Sequence, residues 1–174
     1  MIEYVYKALD INFMKGTMAQ TRTAVLVKPD GLQRGLIGEI ISRFERKGLK
    51  LVGIKMINLT DEMLSEWYVE HKDKSFFSEL KNFMGSKPVV AMVWQGIDAV
   101  MVVRKLVGTT LGREAEAGSI RGDFGMSQQY NLIHASSSNE DAEREIKIVF
   151  EEDELIDYSD IREHLIYADY ELNS

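Results

Sequence analysis

Runs of apolar residues mark four predicted strands along the chain. The segments 23–27, 49–59 and 132–135 are short and favour strands by composition or alternation. The segment 89–94 is apolar at every position, which is typical of a central strand buried on both faces. The pattern therefore predicts a sheet built around the segment 89–94.

Apolar residues at helical spacing occupy the intervals between these strands. The clearest helix has apolar residues at positions 36, 37, 40, 41 and 44 and ends at Gly48. Further helices are predicted to begin at residues that favour the N-cap or the first turn: Thr60, Ser75, Asp98 and Ser138. Helices and strands therefore alternate through most of the chain.

Two segments show neither period. Lys28–Gly31 follows the first strand with Pro and Gly and is predicted to be a turn. The glycine-rich segment 108–125 is predicted to be a long loop with a functional role. The order of the elements predicts an α+β sandwich of the split βαβ kind, with helices packed on one face of the sheet.

The expected domain organisation is one domain over residues 21–174, including an acidic C-terminal extension. Residues 1–20 are expected to be a non-native or disordered N-terminal extension and are set aside from the fold, since Met18 offers an alternative start. This extension does not resemble a secretion signal, because Glu3, Lys7 and Asp10 interrupt any apolar core. No apolar run exceeds six residues, whereas a membrane helix needs about 20, so we expect a cytoplasmic protein.

Composition and charge exclude several kinds of site and disfavour one class of partner. The chain has 0 cysteines, which excludes a disulfide scaffold, a thiolate zinc site and a catalytic thiol. Residues 138–174 contain 13 acidic and 3 basic residues, whereas residues 1–137 contain 15 acidic and 18 basic ones. A body with a net charge of only +3 and a strongly acidic end disfavour nucleic acid as the main partner. A local basic pocket for a small anion remains open.

Several cations and hydroxyl groups flank the irregular segments. Arginine forks, a lysine and threonine hydroxyls are the groups that hold a polyphosphate. The alternative is that they are ordinary surface residues, and His134, at the end of a predicted strand, could equally be a polar residue at a sheet edge. Neither a P-loop nor a GxGxxG motif is present. The candidate phosphate-binding residues are Lys28, Arg104, Thr109, Thr110, Arg113 and Arg121.

Four segments together resemble the nucleoside diphosphate kinases. The resemblance covers about residues 22–170, with several long motifs in the family's order. The matching segments are Lys28–Gly35 (KPDGLQRG), Pro88–Trp94 (PVVAMVW), Ile120–Gly125 (IRGDFG) and Asn131–Ser136 (NLIHAS).

The resemblance implies a ferredoxin-like βαββαβ fold with a four-stranded antiparallel sheet. It also implies ping-pong transfer of the γ-phosphate of a nucleoside triphosphate such as ATP to a nucleoside diphosphate. His134 is then the nucleophile that becomes phosphohistidine, Glu145 orients its ring, and Ser136 supports Glu145. Mg²⁺ is expected to arrive with the nucleotide, held by its phosphates rather than by protein ligands.

The same resemblance assigns the nucleotide contacts. Lys28 serves in both catalysis and binding, Asn131 and Lys28 contact the ribose, and Phe76 stacks on the base with Leu80 beside it. Phe76 and Leu80 could instead be core residues, and Tyr68 a helix-face aromatic. The residues matching the family's phosphate contacts are Lys28, Tyr68, Arg104, Thr110 and Arg121.

The chain departs from the family pattern in four places. Ala135 stands where Gly is usual, Ser137 where Asp is usual, and Gln128 where a small apolar residue is usual. The loop also lacks two prolines, at Leu111-Gly112 and Ala117-Gly118. All the chemical residues are present, so we expect an active enzyme. The alternative is a catalytically silent member that binds nucleotides or serves as a scaffold.

The end of the chain carries more large apolar residues than a free tail would. Ile156, Tyr158, Ile161 and Leu165 are among them. The segment is similar to the C-terminal ending of the family's hexameric members, which implies a homohexamer in which the tail reaches a neighbouring subunit. The alternative is that the tail packs only on its own subunit.

Overall fold

The computed structural model describes residues 20–172, which contain a four-stranded antiparallel sheet in the order β2-β3-β1-β4. The predicted α+β, ferredoxin-like class is confirmed. Residues 1–19, nearly all of the predicted extension, lie outside the described residues. The strands are β1 (Gln20–Val27), β2 (Lys50–Ile57), β3 (Val89–Ile97) and β4 (Ile133–Ala135).

Helices of very different length connect and follow these strands. Short 3₁₀ turns lie at Val69–His71, Gly112–Glu114 and Glu152–Glu154. Within residues 20–172, no helix is both long and apolar enough to cross a membrane. The helices are α1 (Pro29–Gln33), α2 (Ile37–Lys47), α3 (Asp61–Trp67), α4 (Phe77–Met84), α5 (Ala99–Val107), α6 (Ile120–Phe124), α7 (Asn139–Val149), α8 (Glu163–Ile166) and α9 (Asp169–Leu172).

Helices cover both faces of the sheet, so the expectation of a single covered face was wrong. On one face, Met92 and Trp94 of β3 pack with residues of α2 and α5. On the other, Ala91 and Val93 pack with residues of α3, α4 and α7. The physical reason is the apolar run of β3 itself: successive side chains of a strand point to opposite faces, so a run without polar positions needs a layer on each side.

Two segments predicted to be irregular contain helices. The predicted turn after β1 is the short helix α1, in which Gly31 is helical and lies against a neighbouring backbone carbonyl. The segment 108–125 includes α6, where Ser119 at the N-cap accepts a hydrogen bond from the Gly122 N–H. Both helices have only five residues, which is too short for a hydrophobic period to show in the sequence.

The predicted helix starts were right in part. Thr60 and Ser138 accept hydrogen bonds from backbone N–H groups and cap α3 and α7. Ser75 does not cap α4, whose N-cap is Phe76 without a side-chain bond. Asp98 precedes α5 but makes no capping bond, because its backbone is left-handed, with φ 53°. Gly48 ends α2 with φ 97°, as its predicted role requires.

The C-terminal segment returns to the outer strand of the sheet. The Ile156 N–H donates to the Val52 carbonyl of β2 at 2.8 Å, and the Ile97 N–H donates to the Tyr167 hydroxyl at 3.2 Å. Lys50 pairs with Asp157 at 2.9 Å. The tail therefore contacts its own subunit over at least part of its length.

Candidate active site

A cleft of about 730 Å³ opens beside the end of β4. Ser136 is fully buried behind the cleft, where its hydroxyl contacts Glu145. The structure thus brings together the residues that the family resemblance assigned to the site, whereas the further candidates Thr109 and Arg113 do not line this cleft. The cleft itself is lined by ten of them: Lys28, Tyr68, Phe76, Leu80, Arg104, Thr110, Arg121, Asn131, His134 and Glu145.

A short hydrogen-bond chain fixes the imidazole ring of His134. Its Nε2 lies 3.0 Å from Glu145 Oε2, and the Ser136 hydroxyl donates to the same carboxylate oxygen at 2.7 Å. The carboxylate is buried and lies on α7, eleven residues beyond the histidine. Nδ1 makes no hydrogen bond to any residue in the described range 20–172.

Trp67 also approaches His134, a contact that the sequence analysis missed. The indole Nε1 lies 3.3 Å from His134 Nε2, and the two rings meet edge to face at 5.3 Å. Nε2 can donate its hydrogen to Glu145 or accept one from Trp67, but not both. The bond to the carboxylate is shorter and charge-assisted, so the network assigns the hydrogen to Nε2 and the lone pair to Nδ1.

Lys28 follows β1 directly and lies in the floor of the cleft. It is 7% exposed, and its ammonium donates to Asn131 Oδ1 at 2.7 Å. Burial, together with the nearby charge of Arg121, lowers the pKa of Lys28 to about 7, against the opposite effect of Asp30. The site therefore holds a lysine that loses its proton easily unless an anion is bound.

Arg121 lies on α6 and ties three backbone segments together. Its NH1, NH2 and Nε groups donate to the carbonyls of Gly108, Ile133 and Asn131 at 3.0, 2.6 and 3.3 Å. Burial and the charge of Arg104 lower the pKa of Arg121 to about 10, against the opposite effect of Asp30. The guanidinium thus supplies positive charge to the cleft and also stabilises the surrounding backbone by hydrogen bonds.

The amide of Asn131 is a junction in the same wall. It is 1% exposed, and its Nδ2 donates to the carbonyls of Thr110 and Gln128 at 2.8 and 2.6 Å. Both amide hydrogens are used, but Oδ1 retains a lone pair beside the bond from Lys28. Asn131 thus links the backbone of Thr110 and Gln128 to the side chain of Lys28.

Aromatic residues form the opposite wall. The Tyr68 hydroxyl is buried and has no hydrogen-bond partner in the described part of the chain; burial, with Glu145 nearby, raises its pKa. His71 stacks on Tyr68 with the ring centroids 6.2 Å apart, and its ring lies 5.6 Å from that of Phe76. Phe76 is 47% exposed at the mouth, and Leu80 is half-buried. An aromatic ring left this exposed is available for stacking.

The cleft has no ready-made metal cage. Over residues 20–172, no three His, Cys, Asp or Glu side chains are grouped so that they could hold an ion. Asp141 lines the cleft, but Ser137 and Arg144 already bond its carboxylate. The remaining charge is mostly cationic, which suits an anion better than a bare metal ion.

The fold and the cleft define a phosphotransferase-type protein: a strand-end histidine with one ring nitrogen tethered to a carboxylate faces a pocket of cations and an aromatic mouth. Comparison with known proteins agrees, since a sequence model described as nucleoside diphosphate kinase matches residues 21–155. The chain belongs to the nucleoside diphosphate kinase family, and it has nucleoside diphosphate kinase activity.

The match to individual relatives extends over nearly the whole length of each relative. The nucleoside diphosphate kinase of Staphylothermus marinus is 54% identical over 141 residues, which is 81% of this chain and 100% of that protein. That of Bacillus cereus is 52% identical over 146 residues, 84% of this chain and 99% of that protein. The structure of the halophilic enzyme from Halobacterium salinarum in complex with CDP has a TM-score of 0.83 and 48% identity, and the match covers 86% of this chain and 99% of that one.

Proposed function

We propose that Nδ1 of His134 accepts the γ-phosphate of a nucleoside triphosphate and then passes it to a nucleoside diphosphate. The observation that supports this most strongly is the 3.0 Å contact of Nε2 with Glu145, because it leaves Nδ1 as the ring nitrogen with a free lone pair. A neutral imidazole is nucleophilic near neutral pH. The assignment therefore needs no further base.

The two half-reactions are symmetric. In the first, the Nδ1 lone pair forms a bond to the γ-phosphorus while the bond from that phosphorus to the β–γ bridging oxygen breaks, and the diphosphate leaves with those electrons. In the second, a β-phosphate oxygen of the acceptor attacks the same phosphorus and the N–P bond breaks. The hydrogen stays on Nε2 throughout and is donated to Glu145, and Ser136 keeps that carboxylate in place.

The cations and hydroxyls of the cleft are assigned to the phosphates. Lys28, Arg104 and Arg121 neutralise the charge that spreads over the transferring group's oxygens, which is the main source of rate in phosphoryl transfer. The unpartnered Tyr68 hydroxyl and the Thr110 side chain add neutral donors. Fixed donors of this kind need no rearrangement at the moment of reaction.

The base is assigned to the exposed mouth of the cleft and the ribose to the buried pair of Lys28 and Asn131. Phe76 stacks on the base beside Leu80, and Asn131 Oδ1 with Lys28 contacts the ribose hydroxyls. Because every base offers an aromatic face, such a mouth accepts nucleotides broadly.

Mg²⁺ enters this proposal only as a partner of the nucleotide. The residues fit a metal held mainly by phosphate oxygens, since the carboxylates of Asp141 and Glu145 are already bonded to other side chains. When bound, Mg²⁺ neutralises phosphate oxygens.

The proposal includes assembly as a homohexamer with the tail at a subunit contact. Ile161 and Leu165 are each 86% exposed, and Ile54 and Met56 are exposed on the outer strand β2. Apolar groups exposed together are typical of an interface. The cytoplasmic location stays a prediction from the sequence.

Labelling with γ-labelled ATP tests the proposal. The recovered protein is expected to carry label that is labile in acid and stable in base, as a phosphoramidate is. His134→Asn should abolish the label, whereas His164→Asn and His71→Asn should retain it. A labelled His134→Asn protein would refute the assignment, and an unlabelled parent with kinase activity would refute the covalent intermediate.

A further inference from the structure

Leu132 adopts a backbone conformation that leucine rarely takes. Its φ is 74°, in the left-handed region, and its side chain is fully buried. It stands between two cleft residues, directly after Asn131 and two residues before His134. Strained positions of this kind persist only where the surroundings hold them, and they concentrate at functional sites.

The segment that follows β1 holds both polar groups of Leu132. The Leu132 N–H donates to Asp30 Oδ2 at 2.9 Å, and its carbonyl accepts from the Lys28 N–H at 2.9 Å. Gly31 presses on the same carbonyl, since a Cβ at Gly31 would lie 2.6 Å from the Leu132 oxygen. The segment Lys28–Gly31 therefore contacts both the N–H and the carbonyl of the strained residue Leu132.

Asp30 is the part of this grip that a side chain provides. It is not among the residues that line the cleft. Its Oδ1 is buried without a partner in the described residues, so only Oδ2 is engaged. Without that acceptor, the Leu132 amide would be free to rotate toward an ordinary conformation, and the backbone on either side would turn with it. Such a turn would move the Asn131 amide and the His134 ring.

We propose that Asp30 is a positioning residue for phosphoryl transfer: its Oδ2 holds the Leu132 amide in the left-handed conformation that aims Asn131 and His134 into the cleft. The inference rests on the proposed role of His134. It assigns Asp30 an effect on geometry that operates through a hydrogen bond, in addition to its charge beside Lys28 and Arg121.

Two substitutions separate position from charge. Asp30→Asn keeps an oxygen acceptor in place and removes the charge, whereas Asp30→Glu keeps the charge and displaces the acceptor by one methylene. On the pH plateau, Asp30→Asn is expected to keep kcat within about threefold of the parent, and Asp30→Glu to lose at least about tenfold at every pH. Loss of the charge should appear only as an alkaline limb moved to lower pH, through Lys28. Asp153→Asn and Asp153→Glu are the matched controls, since Asp153 is exposed and distant in sequence.

Each outcome decides the matter. A parental kcat in folded Asp30→Glu, or an Asp30→Asn plateau as low as that of Asp30→Glu, would overturn the inference. If Asp30→Glu does not fold, Asp30→Ala is compared with Asp30→Asn instead, because both lack the charge and only Asp30→Asn keeps an acceptor; Asp30→Ala is then expected to lose at least about tenfold in kcat relative to Asp30→Asn. Phosphate labelling keeps the two proposals apart: a slower appearance of label on His134 in Asp30→Glu supports the inference, whereas a parent that is labelled elsewhere refutes the role of His134 instead.

Discussion

The ammonium of Lys28 lies 2.7 Å from Asn131 Oδ1, so its closest partner is a neutral amide oxygen rather than a carboxylate. Burial and Arg121 therefore lower its pKa to about 7, despite Asp30. A bound polyphosphate adds negative charge at the same place and favours the protonated form. We therefore expect the protonation of Lys28 to increase when a polyphosphate binds in the cleft.

Nucleotide binding should consequently take up a proton at alkaline pH. At about pH 8.5 the free protein holds Lys28 mostly neutral, and the complex holds it charged, so we expect an uptake approaching about one proton per site. Calorimetric titrations in buffers of different ionisation enthalpy measure this number. The uptake should vanish near pH 6, where Lys28 is already charged. Equal uptake at both pH values would contradict the assignment.

The same lysine makes the stability of the nucleotide-free protein depend on pH. Its folded pKa of about 7 lies below the unfolded value of 10.5, so between these values the unfolded chain binds more protons. The free energy of unfolding should therefore rise with pH through this window, by at most about 1.4 kcal/mol per pH unit. Urea unfolding of the parent and of Lys28→Met measures it, and Lys28→Met should be most stabilising below pH 7. Parallel profiles would show that Lys28 is solvated.

Substitution of Arg121 should lower both stability and turnover, whereas substitution of Arg104 should lower turnover alone. Arg121→Ala is expected to lower kcat by orders of magnitude in a protein that still folds. It should also lower the free energy of unfolding by about 2–5 kcal/mol, because three backbone carbonyls lose a charged donor. Arg104 is exposed and makes no hydrogen bond within residues 20–172, so Arg104→Ala should lower activity alone. Steady-state kinetics and urea unfolding of both variants test this. Equal stability losses, or an Arg121→Ala turnover within about threefold of the parent, would contradict the roles.

Assembly should depend on the outward residues of the tail. Ile161→Asp with Leu165→Asp leaves the own-subunit contacts in place and should reduce a hexamer to smaller species, or make the thermal midpoint depend on concentration. Tyr167→Phe is the matched control, because it removes only the hydroxyl that accepts from the Ile97 N–H. Light scattering of the parent and both variants measures the size. A monomeric or dimeric parent, or a double variant of unchanged size, would refute the tail contact.

Much of the site follows from the sequence because its residues lie in continuous motifs. Lys28 follows β1, Asn131 precedes β4 and His134 lies within β4. Because β4 pairs with β1, motifs about a hundred residues apart meet by sheet pairing alone. Their roles came from resemblance to a family, and the structure adds the distances. The apolar run of β3 also indicates that helices pack on both faces of the sheet, although we expected helices on one face only.

Other contacts left no sign in the sequence. Trp67 reads as one more apolar residue of a helix, and only the packing of α3 and α7 on the same face of the sheet brings its indole to His134. The left-handed Leu132 is likewise invisible, since leucine is not a residue that predicts positive φ. Both features depend on where distant side chains end rather than on any local pattern.

The central claim is that Glu145 tethers Nε2 of His134 and leaves Nδ1 to form the bond to phosphorus. Long-range ¹H–¹⁵N NMR of histidine-labelled protein, recorded before and after incubation with a nucleoside triphosphate, identifies the phosphorylated nitrogen. We predict that a phosphorus coupling and a shift change appear at Nδ1 of His134, with a hydrogen retained on Nε2. Phosphorus on Nε2, or on His71 or His164, would contradict the account.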